Sequence, residues 1–177
     1  MSEDNYSAKE ENDMSQNEIR KQRLFSNSNS FRYPGGYLSI DKYKFSLNHY
    51  YESNRSAARS SIGFIVSGRV ELRSRYMSLK LSAGDAFYIP SNEKYSSIWT
   101  GTPDIEFYGM YSIPPLDVLS ETGRFGLGKL TPPEGEDMTR FFAEMYRLMA
   151  SGEADKRLHA VGMYYDFAGK VIGSLRP

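Results

Sequence analysis

Between residues 37 and 113 apolar and polar residues alternate in short runs, and glycine, proline or a polar turn ends nearly every run. This pattern constrains the fold more than any other feature of the chain. Successive side chains on an extended strand point to opposite faces, so alternation marks strands with one buried side. Tyr37-Leu38-Ser39-Ile40 and Tyr43-Lys44-Phe45-Ser46-Leu47 begin the series. Residues 61–66 form a compact apolar run, and Val70-Glu71-Leu72 follows it closely, so Ser67-Gly68-Arg69 reads as a hairpin turn. Met77-Ser78-Leu79-Lys80-Leu81 alternates and stops at Ala83-Gly84-Asp85; residues 86–89 make a short strand ended by Pro90. Residues 95–99 and 105–113 complete the set. Many short strands with regular turn punctuation predict a barrel or sandwich, and an antiparallel β-barrel is expected over residues 36–113.

The flanks read differently. Residues 1–30 read as a polar, flexible tail rich in Ser, Asn, Glu and Asp, with too little apolar surface to bury a face. Pro114-Pro115 closes the strand region, and residues 116–134 form an irregular connection containing Gly123, Gly126, Gly128 and Pro132-Pro133. The period then becomes helical. Met138, Phe141, Met145 and Leu148 share one helix face, and Ser151-Gly152 stops that helix. A second helix starts near residue 154 and runs to about residue 175. Leu158, Val161, Tyr165, Ala168, Ile172 and Leu175 form a heptad-like seam along it, with Tyr164, Phe167 and Val171 as a second apolar line. The seam is assigned to a homodimer contact and the second line to the chain's own core; the alternative is that both lines are core. Gly162 and Gly169 would let another helix approach closely. The predicted division is thus a tail over 1–30, a barrel over 31–115, a connection over 116–134 and two antiparallel helices over 135–177.

Composition excludes several function classes. Lys plus Arg number 22 and Asp plus Glu number 22, so the chain has no basic excess with which to hold nucleic acid by itself. There is no cysteine, so disulfides and thiolate chemistry are ruled out, and the sequence is compatible with a reducing cytoplasm, the expected location. No apolar run reaches the ~18 residues of a membrane-spanning helix, and no membrane association is expected. Tyrosine (14) and phenylalanine (10) are abundant, which suits strands, pockets and interfaces.

The most informative stretch is Gly84-Asp85-Ala86-Phe87-Tyr88-Ile89-Pro90-Ser91-Asn92-Glu93-Lys94-Tyr95. Gly84, Pro90 and Tyr95 resemble the second cupin motif, in which a histidine holds the Tyr95 position. Residues 62–72, with Gly68 at their turn, resemble the closing half of the first cupin motif. With the strand over 107–113 ending in Pro-Pro and the two C-terminal helices, residues 35–177 look like the N-terminal regulatory domain of AraC-type transcription regulators. The resemblance implies a mainly β, cupin-like jelly-roll barrel followed by two helices, a small-molecule effector, a homodimer, and DNA contact only through a helix-turn-helix domain beyond this chain. On that reading the chain is an expressed fragment of a longer regulator.

The departures from the cupin pattern are informative. The positions that carry metal ligands in metal-binding cupins fall here on or near Arg55, Ala57, Ser61 and Tyr95, none of them suited to an ordinary iron, manganese or zinc site. The two histidines, His49 and His159, lie in different elements. No cofactor is expected. There is no G-x-S-x-G, phosphate-loop motif or cysteine nucleophile, so the chain reads as a non-enzyme. The runner-up is a free-standing metal-independent cupin isomerase or epimerase, for which Tyr95 with His49 is the available acid–base pair. Candidate ligand contacts follow from strand parity: Tyr95, Ser97 and Trp99 on one strand, Phe107 and Tyr111 on another, with Gly109 between them leaving space. Arg55 and Arg59 precede the buried strand. Arg55 is assigned to an anionic group of the effector, the alternative for both being solvated strand-edge charges. A barrel simply filled by its inward aromatic rings is the competing reading of this set.

Overall fold

The structure, a computed structural model, describes residues 29–46, 48–53, 58–116 and 125–175. Ten strands occur in it: β1 (Ser30–Tyr33), β2 (Gly36–Phe45), β3 (His49–Glu52), β4 (Ser60–Ser67), β5 (Arg69–Ser74), β6 (Ser78–Ser82), β7 (Ala86–Ile89), β8 (Tyr95–Thr100), β9 (Ile105–Ile113) and β10 (Gly128–Leu130). Two helices follow, α1 (Met138–Ala150) and α2 (Ala154–Val171), and a 3₁₀ turn over Ile172–Leu175 extends the second. The alternating region from Gly36 to Ile113 is occupied by β2 to β9, and the fold is mainly antiparallel β with two C-terminal helices, a cupin-like arrangement.

The strands form two sheets, ordered β1-β2-β9-β4-β7-β10 and β3-β8-β5-β6. Among the described residues no ladder joins them into one closed barrel, so the expected barrel is realised as two facing sheets. The turns are set where the sequence placed its glycines. Gly68 and Gly84 both take φ of +90°, in the left-handed region that glycine enters without a Cβ penalty. The Gly84 N–H then donates to the Ile65 carbonyl at 2.9 Å, and the Asp85 carboxylate accepts from the Ser82 N–H at 2.9 Å.

Two cores result from strand parity. Leu38 and Ile40 of β2, Ile62 and Phe64 of β4, and Tyr108 and Met110 of β9 face the helices, where Phe142, Met145, Tyr164 and Phe167 meet them. The second core lies between the sheets and holds Val70, Leu72, Phe87, Trp99 and Ile105. The helices therefore form a third layer over the outer face of the six-stranded sheet. The Asp137 side chain caps α1 by accepting from the Arg140 N–H at 3.0 Å, and Gly152 (φ +79°) turns the chain into α2. Lys170 near the end of α2 pairs with Glu136 just before α1 at 2.9 Å, as an antiparallel helix hairpin requires.

Three expectations are corrected. The irregular connection contains β10, which pairs with β7 at the sheet edge. The chain before residue 31 contributes Ser30 to β1, and Asn29 is buried with its carbonyl accepting from the Ile40 N–H at 3.0 Å; the rest of the predicted tail lies outside the described residues. The seam on α2 does not form one face. Val161, Ala168 and Leu175 are buried in the chain's own core beside Tyr164, Phe167 and Val171, Ile172 is half-buried against them, and Leu158 and Tyr165 face solvent at 56% and 40% exposure. Residues three apart stand about 60° apart around a helix of 3.6 residues per turn, so the line Val161, Ala168 and Leu175 meets the core while Leu158 and Tyr165 lie to its side.

Candidate functional site

The second core is incomplete. Between the sheets lies a cavity of about 410 Å³. Parity puts Tyr43 and Phe45 of β2, Phe107, Gly109 and Tyr111 of β9, and Tyr95, Ser97 and Trp99 of β8 on its wall. The strand face predicted to point inward does so, and of the proposed ligand contacts Tyr95, Ser97, Trp99, Phe107 and Tyr111 all line one space. Arg55 and Ala57 lie outside the described residues.

The wall is a row of nearly parallel rings. Tyr43 stacks on Phe107 with centroids 4.7 Å apart and planes 18° from parallel, and Phe107 in turn stacks on Trp99. Phe45 lies 12° from the Tyr43 plane and stacks on His49 at 4.7 Å. The Trp99 indole N–H donates to the Ser97 hydroxyl at 3.0 Å, so its polar edge is satisfied within the wall. His49 is the one imidazole in the lining, and burial holds its pKa below the usual histidine range.

Two residues sit differently from the expectation. The space over Gly109 is not open: an added Cβ would stand 2.9 Å from the Tyr111 hydroxyl oxygen and 3.2 Å from Tyr43. Those two phenols hydrogen-bond at 3.0 Å and occupy the gap that glycine leaves. Arg59, named beside Arg55 as a candidate for an anionic group though the assignment went to Arg55, lines the cavity with its guanidinium carbon 4.2 Å from the Tyr111 ring centroid. Its position precedes β4, where alternation gives no direction for a side chain, so spacing did not separate it from Arg55.

The lining does not fit a metal. Ser61 and Tyr95 stand on the cavity wall at two of the cupin ligand positions, and among the described residues no carboxylate lines the space. Among the described residues no group of three or more His, Cys, Asp or Glu side chains is placed to hold a metal ion. No described helix is long and apolar enough to cross a membrane.

No family model matches the chain, and no curated protein does. Solved structures do. The EutQ protein of Clostridium difficile aligns at 12% identity and a TM-score of 0.32, over 42% of this chain and 55% of that one. The cupin domain of Schizosaccharomyces pombe Cnp3 aligns at 14% identity and a TM-score of 0.39, over 46% and 59%. ToxT of Vibrio cholerae, solved with an unsaturated fatty acid bound, aligns at 14% identity and a TM-score of 0.37, over 45% and 30%. The chain thus spans about half the length of the EutQ proteins it matches. These likenesses are of fold alone.

Proposed function

We propose that this chain is the effector-sensing and dimerising part of an AraC-type transcription regulator, cytoplasmic and non-enzymatic, in which a small molecule occupies the space between the sheets without a metal. The observation that carries the reading is the cavity itself. Its size falls within the ~300–1,000 Å³ of small-molecule sites, and its wall combines apolar rings with a few hydroxyls and one guanidinium. The stacking of His49 on Phe45, which occupies one face of the lining's imidazole, favours binding over turnover. DNA is contacted on this reading through a separate helix-turn-helix domain of the full regulator.

The dimer contact is assigned to the outer face of α2, where Leu158 and Tyr165 are exposed and a Cβ added at Gly162 or Gly169 would meet nothing within 4 Å. Two measurements test the whole reading. A thermal-shift screen of small metabolites should find compounds that raise Tm in the wild-type chain and lose their effect in Ser61→Phe, which fills the cavity from β4. Sedimentation should show a dimer that Leu158→Asp converts to monomer without lowering Tm. A screen with no active compound, or a sedimentation profile that Leu158→Asp leaves unchanged, removes the corresponding half of the proposal.

A further inference from the structure

We infer that the cavity takes a small organic carboxylate, with its charged end at Arg59 and its apolar body against the Tyr43–Phe107–Trp99 wall. This rests on the reading that the cavity binds a small molecule and adds the chemical class of that molecule.

Charge comes first. Among the described residues Arg59 is the one Lys or Arg side chain of the lining, and no acidic side chain lines the space. Among the described residues it forms no ion pair; its contact is the face of Tyr111 at 4.2 Å. A guanidinium lying on a ring keeps its in-plane N–H groups for another partner, and their fork matches the two oxygens of a carboxylate. The Asp41 carboxylate accepts from the Tyr43 hydroxyl at 3.5 Å and is not among the lining residues. His49 adds no compensating or competing charge near neutral pH, because burial favours its neutral form. The site is therefore a partly buried positive charge in an otherwise neutral aromatic wall, and such a charge gains most from an anionic partner.

Shape comes second. Tyr43, Phe45 and Phe107 present planes 12° to 30° apart, and Trp99 continues the row on the opposite sheet. Tyr43 and Trp99 cover the two faces of Phe107, so the row offers a guest a continuous apolar wall rather than a gap between rings. The volume suits a body of one or two rings.

Calorimetric titration of the full chain with benzoate and cinnamate, each paired with its neutral amide, tests the inference. The acids are expected to bind at least tenfold more tightly than the amides. Arg59→Gln should abolish that preference, Arg59→Lys should keep part of it, and Ser61→Phe should remove binding of both. Circular dichroism of each variant establishes that it is folded, and Arg59→Lys serves if Arg59→Gln is not. Amides that bind as well as acids, or acids that bind Arg59→Gln unchanged, overturn the anion inference while the cavity remains a binding site. The same holds if the acids fail and an unrelated compound from the thermal-shift screen binds. If no compound of any class binds, both readings fall.

Discussion

Trp99 lies face to face on Phe107, with ring centroids 4.0 Å apart and planes 13° from parallel. The first belongs to the four-stranded sheet and the second to the six-stranded sheet, so the pair is a direct bridge between them across the cavity. Phe107→Ala should lower unfolding free energy by about 3 kcal/mol, from lost burial and the void left behind. Phe107→Leu should cost only about 1 kcal/mol, mostly the ring–ring term. Urea unfolding followed by the emission of Trp99, the single tryptophan, measures both. A Phe107→Leu loss near zero beside the full Phe107→Ala loss would show that the stacking contributes nothing of its own.

Gly63 is the floor on which the Phe87 ring rests: an added Cβ would lie 2.0 Å from Phe87 Cζ. Gly63→Ala should destabilise by about 2 kcal/mol, because Phe87 is buried and has to leave its place. Gly63→Ala combined with Phe87→Leu should recover part of that loss, and a double-mutant cycle of unfolding free energies detects the coupling. Strictly additive effects would place the strain elsewhere.

A chain of hydroxyls ties the outer helix to the sheet. Tyr164 of α2 donates to Ser112 Oγ at 2.6 Å, Ser112 and Ser60 share a hydrogen bond at 3.1 Å, and Ser60 Oγ accepts from the Leu116 N–H at 3.1 Å. All three side chains are buried. Ser60→Ala leaves the Leu116 N–H and Ser112 short of a partner and should cost about 2 kcal/mol, against about 1 kcal/mol for Tyr164→Phe. Chemical denaturation that ranks them in the reverse order would contradict this wiring.

His49 predicts a pH dependence. Its pKa in the folded chain is lowered from the ordinary 6.5 by burial, so the unfolded chain takes up the proton first as pH falls. The contribution is complete above pH 6.5 and is lost as pH falls below it towards the lowered folded value. Stability measured between neutral and mildly acidic pH should therefore decline in wild type and decline less in His49→Gln. A slope unchanged in the variant would assign the effect to other groups.

Much of this was legible in the residues themselves. The turns at Gly68 and Gly84 and the inward set of β8 and β9 follow from local chemistry, because a turn needs a positive φ and a strand alternates faces. What was not legible is non-local. Gly128-Lys129-Leu130 is too short to show a period, and becomes a strand only because β7 offers it an edge. The use of Gly109 depends on two tyrosines from different strands reaching the same point. The place of Arg59 depends on a ring fifty-odd residues away. On α2, the pattern established an amphipathic helix, but that Val161 joins the core cluster and Leu158 faces solvent depends on how the helix is rotated onto the sheet, which spacing alone does not give.

β9 has a consequence of its own. Its odd residues, Phe107 and Tyr111, look into the cavity, while its even residues, Tyr108, Met110 and Ser112, sit beneath the helices. One backbone carries both sets, so the strand acts as a rigid lever with its two arms in different compartments. A shift of the β9 backbone on the cavity side is therefore at the same time a shift of the residues on which α2 rests.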